Sequence, residues 1–237
     1  MPQSWPLKRV GLRVRDLATS IAYYQLLGLH IVRNEPAEGI VGLGASEQEL
    51  LTLRHVPAAR PRPRHTAGLY HFALLLPGEA ELGTFLRHCL EDGVNIDGAS
   101  DHLVSQALYL SDPEANGIEV YADRPREQWS WNNGRPAMDT LPLKANELLA
   151  KAGSKQGFPE GTILGHMHLN VSDLEQNLTF YQQTFGLELM VNLYQQAGFV
   201  FCKHLHQNAT LTPHDALVAV ADMKTIVLLW EGGHHWY

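Results

Sequence analysis

The residues of this 237-residue chain best suited to chemistry are its thirteen histidines. An imidazole titrates near neutral pH and also offers a lone pair to a metal. Its place on an element separates those uses from a plain structural hydrogen bond. His166 and His168 alternate along the apolar segment 163–171, so they share a face if that segment is a strand. His71 lies in a second such segment, 69–76. Glu119 sits between Ile118 and Val120 and faces the opposite side from both. His102 follows Asp101 ahead of a third segment, where it reads as an acid–base group at a cavity or as a loop histidine without a special role. No G-x-S-x-G, P-loop or Cys-x-x-Cys occurs, so hydrolase, nucleotide and zinc-ribbon chemistry lose support.

The element that must position His166 is strand, cap, helix and glycine stop. Ser172-Asp173 is a turn and N-cap pair. Leu174, Leu178 and Tyr181 follow at helical spacing, and Gly186 ends the helix. The same unit opens the chain: Asp16, Leu17 and Tyr24 match Asp173, Leu174 and Tyr181 at a constant offset of 157 positions, with Gly28 as the stop. Such a repeat sets the architecture. Seven residues before Asp16 stands Arg9, where the later copy has His166.

Residues 7–54 therefore read as βαβββ, with strands around Ile31, Ile40–Leu43 and Leu50–Leu53. Residues 55–67, rich in proline and arginine, read as an exposed linker. Residues 69–122 repeat the plan: a strand, a helix from Glu79 to Asp92 with Leu82, Phe85, Leu86 and Leu90 inward, a stop at Gly93, then further strands around a tight turn at 111–117. A connector spans 124–160, with Trp129 and Trp131 as packing anchors and a short helix over 144–152. A third unit starts at 161, and its pattern becomes unclear after 201. The expected organisation is a paired βαβββ domain over 1–123, the connector, and a C-terminal unit over 161–237 that is truncated or divergent after 201.

The net charge of −7 argues against nucleic acid or an anionic membrane as main partner. No apolar run reaches the ~20 residues of a bilayer span. The first residues lack a signal-peptide core, and Cys89 and Cys202 make no disulfide framework, so a cytoplasmic protein with reduced thiols is expected.

Repeated βαβββ units with V-x-D-L, a tyrosine pair and G-L resemble the glyoxalase, bleomycin-resistance and extradiol dioxygenase superfamily, the vicinal oxygen chelate proteins. The stretches G-L-Y-H-F-A-L-L-L-P (68–77), D-H-L-V-S-Q-A-L-Y-L-S-D-P-E-A-N-G-I-E-V-Y-A-D-R-P-R (101–126) and G-H-M-H-L-N-V-S-D-L (165–174) are similar to catechol 2,3-dioxygenase-like proteins of bacilli. The resemblance implies an α+β fold in which βαβββ modules pair into curved half-barrel sheets around a cavity, here with a third module lacking its fourth partner. It implies ring cleavage of catechol-type aromatic diols with O₂ and Fe(II), or Mn(II). It places metal ligands on the first strand of unit three, the first strand of unit four and the last strand of unit four, a two-histidine, one-carboxylate set.

Carried onto this chain, the resemblance assigns His166 as a metal ligand. The second histidine and the carboxylate are not identified, because the stretch that should hold unit four does not match. His234 and His235 stand near where the second ligand would be. His168 reads as a group beside the site or as a core residue. His71 and Glu119 hold the corresponding positions in unit two, but Arg9 replaces the ligand in unit one, so that pair is read as vestigial, with His71 and Glu119 in structural hydrogen bonds. The expected function is an extradiol dioxygenase impaired by the missing module, working as a homo-oligomer; the alternative is a metal-free small-molecule binding or resistance-type protein of the same fold.

Overall fold

The computed structural model describes residues 7–61, 63, 66–132, 135–154, 157–193, 197–201 and 226–230. In unit one, β1 (Val10–Val14), α1 (Leu17–Leu26), β2 (His30–Glu35), β3 (Ile40–Ala45) and β4 (Gln48–His55) build a four-stranded sheet in the order β1-β4-β3-β2. The β1 strand alternates buried Val10, Leu12 and Val14 with exposed Gly11 and Arg13, the period of a strand with one face in a core. Asp16 caps α1 by accepting from the Thr19 amide, and Asp173 caps its counterpart by accepting from the Gln176 amide. Both caps and the repeat are as the sequence predicts.

Unit two contains β5 (Gly68–Leu76), α2 (Glu79–Glu91), β6 (Gly98–Asp101), β7 (Ser105–Ser111) and β8 (Gly117–Asp123). The connector carries the short strands β9 (Trp131–Asn132), β10 (Arg135–Pro136) and β11 (Leu141–Pro142) and the helix α3 (Ala145–Leu149). Unit three contains β12 (Ile163–Asn170), α4 (Leu174–Phe185), β13 (Glu188–Leu193), β14 (Ala197–Phe201) and β15 (Ile226–Trp230). Helix α4 ends at Gly186, whose φ of 67° is left-handed and suits glycine.

The sheets join differently from the expected pairing of units one and two. Units two and three share one nine-stranded sheet, ordered β11-β6-β7-β8-β5-β12-β15-β14-β13. Their first strands, β5 and β12, are antiparallel neighbours. Unit one keeps its own sheet and meets unit two through a common apolar core, in which Tyr24, Leu43 and Leu53 join Phe72, Leu82 and Phe85. The Tyr24 hydroxyl donates to Asp112 at 2.8 Å, and Arg15 pairs with Glu114 at 2.7 Å, tying α1 to the β7–β8 turn. The physical reason lies in the first strands. β5 and β12 run nine and eight residues, whereas β1 has five and turns the charged Arg13 outward, which discourages edge pairing.

Two side-chain assignments also change. Leu90 is 60% exposed, and Cys89 takes the inward position on α2. Trp129 and Trp131 lie on each other with ring centroids 5.8 Å apart, and Arg126 covers Trp131, so they form a surface cluster rather than core anchors. Cys202, His234 and His235 lie outside the described residues.

Candidate metal centre

The site follows from strand register. His166 on β12 stands opposite Ala73 on β5, and Ala73 stands beside Glu119 on β8. His168 is opposite His71, one row along. By the two-residue period, His71, Ala73, Glu119, His166 and His168 share one face. The other face carries Phe72, Leu74, Ile118 and Val120 into the core beneath α2. Alternation along three neighbouring strands thus puts Phe72, Leu74, Ile118 and Val120 on the helix side and gathers the imidazoles and the carboxylate, with Ala73, Leu75 and Tyr121, on the other.

Three groups converge. His71 Nε2 lies 2.8 Å from Glu119 Oε2, His166 Nε2 lies 3.1 Å from the same oxygen, and the two Nε2 atoms are 3.4 Å apart. His71, Glu119 and His166 are 5%, 4% and 6% exposed, so all three donors are buried. A divalent metal bound at about 2.1 Å with donors at right angles sets neighbouring donors about 3 Å apart. The triangle has that size, and its composition is two histidines and one carboxylate, a set that covers one face of an octahedron and leaves the opposite face open. The residues therefore fit a divalent metal.

Electrostatics agree with the geometry. Burial works to raise the Glu119 pKa, but His166 and His71 outweigh it and hold the carboxylate well below its usual range. Burial lowers the His71 pKa against the pull of Glu119, so the imidazole favours its neutral, metal-competent form. His71 Nδ1 is buried without a hydrogen-bond partner among the described residues. Burial, with His71 and His166 alongside, keeps His168 neutral as well. Its ring meets His71 edge-on at 4.8 Å and Tyr70 at 4.7 Å.

The second ring of residues is aromatic. The Tyr121 ring lies 5.0 Å from that of His166, and Tyr109 lies 5.8 Å from His71. A bulge separates Leu164 from His166, and Gly165 occupies it; a Cβ there would come within 2.2 Å of the Tyr121 hydroxyl. His102 Nε2 lies 2.7 Å from the Tyr109 hydroxyl, and Nδ1 lies 3.0 Å from the Asp139 carbonyl. His102 thus lies in the β6–β7 turn with its ring against Tyr109, at the edge of the site.

Of the residues singled out from the sequence, His166 stands in the cluster and His168 beside it. His71 and Glu119, read as vestigial, are the histidine and carboxylate that complete the group. Arg9 lies just before β1, is exposed and pairs with Glu49 at 3.6 Å, away from the cluster. It therefore gives no ground for discounting the site. The available signal was the order of the pattern itself: first-strand histidine, first-strand histidine and last-strand glutamate are all present once unit two is paired with unit three.

Residues 7–120 match the pattern of the glyoxalase/bleomycin resistance protein/dioxygenase superfamily. It is 40% identical to catechol-2,3-dioxygenase of Bacillus subtilis over 186 residues, which is 76% of this chain and 65% of that protein. The chain thus spans just under two thirds of that relative. It is 25% identical to biphenyl-2,3-diol 1,2-dioxygenase 3 of Rhodococcus globerulus over 146 residues, 60% of this chain and 77% of that protein. Glyoxalase I from Zea mays superposes with a TM-score of 0.56 over 98% of this chain and 70% of its own, at 15% identity, a likeness of fold.

Proposed function

We propose that the chain is a metal-dependent dioxygenase that cleaves catechol-type aromatic diols beside the two hydroxyls, with iron(II), or manganese(II), held by His71, His166 and Glu119. The observation that carries this reading is the triangle of donor atoms at 2.8, 3.1 and 3.4 Å. The names of the two relatives point to the same substrate class. Iron in this setting supplies a Lewis acid and a meeting place for a diol and O₂. The protein supplies the rest. His71, His166 and Glu119 would hold the metal and leave coordination positions for a diol and O₂. Two histidines and a single carboxylate would leave net positive charge on a bound divalent metal to attract a diol anion. Burial of the donors limits the water that would compete for the open positions. His102 Nε2, hydrogen-bonded to Tyr109 beside His71, is placed to hold a proton released from a bound diol.

In this reading units two and three supply all three donor groups from one chain. The test is anaerobic loading with Fe(II), followed by addition of catechol and air. The expected result is one O₂ consumed per catechol and a yellow ring-opened product. An iron-loaded chain that consumes no O₂ over many hours would overturn the proposal.

A further inference from the structure

His102 is aimed at Tyr109 from a turn that leucine does not favour. Leu103 has a φ of 68°, the left-handed region in which a side chain crowds the following carbonyl. Glycine would be the ordinary residue there. Asp101 holds the turn: its Oδ1 accepts from the Leu103 amide at 2.9 Å, closing a side-chain-to-backbone loop two residues long. The turn is also closed by the His102 amide donating to Ser105 at 2.8 Å. Asp101 is itself anchored, because its Oδ2 accepts from Arg124 Nη2 at 2.5 Å. Arg124 spans two carboxylates, reaching Glu79 at the start of α2 through Nη1 at 3.1 Å, and its amide donates to the Val104 carbonyl at 2.8 Å. Lys151 also pairs with Glu79. Arg124 is thus fixed at the end of β8, five residues past Glu119, and reaches across to the turn that carries His102.

The hydrogen bonds of His102 have a chemical direction. The Asp139 carbonyl can only accept, so Nδ1 carries the proton. In the neutral ring Nε2 is then an acceptor, and the Tyr109 hydroxyl donates to it. A ring free in solvent would exchange tautomers. Here the turn sets the ring's place, and the connector carbonyl sets which nitrogen faces Tyr109.

We propose that Asp101 and Arg124 are positioning residues of the site: they hold Leu103 in its left-handed conformation so that His102 presents an unprotonated Nε2 to Tyr109. The clamp rests on the function proposed above only for its effect on turnover. Its effect on the His102 tautomer stands independently.

The test uses the full chain in wild-type, Asp101→Ala, Asp101→Ala with Leu103→Gly, and Arg124→Lys forms. Two-bond nitrogen–proton NMR spectra of the metal-free proteins report the His102 tautomer. Iron-loaded samples report kcat, KM and metal content. In the wild type a single tautomer with the proton on Nδ1 is expected. Asp101→Ala should mix the tautomers and lower kcat about tenfold, the cost of one lost hydrogen bond, with metal content unchanged. Arg124→Lys should do the same more weakly. Adding Leu103→Gly to Asp101→Ala should restore the tautomer and most of kcat, because glycine adopts the turn without the clamp. A lost ion pair with only a stabilising role would not be rescued by that glycine. Failure of rescue in a folded double variant, or an unchanged tautomer in Asp101→Ala, would overturn the proposal. Absence of ring cleavage in the wild type would count against the dioxygenase reading, and the tautomer spectra alone would then decide this one.

Discussion

Ala73 offers a sharp test of how the metal centre is assembled. It stands on β5 between His166 on β12 and Glu119 on β8, in one row across the sheet. Two interstrand spacings, about 9.6 Å, separate the outer strands. Yet the tips of His166 and Glu119 come within 3.1 Å of each other. Both side chains must therefore lean inward over Ala73, which is fully buried. A larger side chain there would occupy the space in which they meet. Ala73→Leu adds three carbon atoms, and overpacking of a closed site costs about 1–3 kcal/mol. For a chain of this size that is roughly a 2–12 °C fall in Tm. The donors would be pushed apart, so the affinity for Mn(II) or Fe(II) should fall by at least about 10–100-fold, the scale of lost support around a metal ligand. Differential scanning calorimetry of the metal-free protein and anaerobic titration calorimetry with metal measure the two effects. An Ala73→Leu chain that melts and binds metal like the wild type would refute the convergence of the triad over this residue.

Gly165→Ala should act from the other side of His166. Its methyl group would meet the Tyr121 hydroxyl, so Tyr121 fluorescence and metal affinity should both change while unit one stays intact. Glu49 accepts from Arg33 at 2.9 Å through both carboxylate oxygens, and that pairing, with a lesser opposing effect of burial, lowers its pKa to about 2. A depressed carboxylate stabilises the fold above its unfolded pKa near 4.5, and the contribution fades as pH falls from there toward 2. After solvent screening it is about 1 kcal/mol, so Glu49→Gln should lower Tm by roughly 2–4 °C at pH 7 and by progressively less as pH drops to 2; an equal loss at both ends would contradict the assignment. Burial, together with Asp92, pushes the Cys89 thiol up to about 12, so it should resist thiol reagents in the folded chain and react on unfolding; fast labelling at pH 8 would show that α2 is not packed as described.

Local features were legible because local rules govern them. The Asp16 and Asp173 caps and the Gly186 stop each follow from a few neighbouring residues. The placement of His166 on a strand face followed from two-residue alternation. The identity of its neighbours did not. Which first strand pairs with which is a long-range choice among similar edges, and the residues that complete the cluster lie 95 and 47 positions away. Reading units one and two as partners placed Arg9 opposite His71 and made the pair of His71 and Glu119 look vestigial, although the sheet brings both to His166. Leu90 was misread for a smaller reason: at that turn of α2 the thiol of Cys89 fills the core, and the helical stripe drifts past the leucine.

The central claim is that a single metal ion is shared by His71, Glu119 and His166 within one chain. The direct measurement is metal content of anaerobically purified, Fe(II)-loaded protein beside His71→Ala, Glu119→Gln and His166→Ala variants, each checked for folding by circular dichroism. About one iron per wild-type chain and near-complete loss in each folded variant is the predicted result. Full retention of iron in His71→Ala or Glu119→Gln, with loss only in His166→Ala, would contradict it and return the other two ligands to the C-terminal stretch.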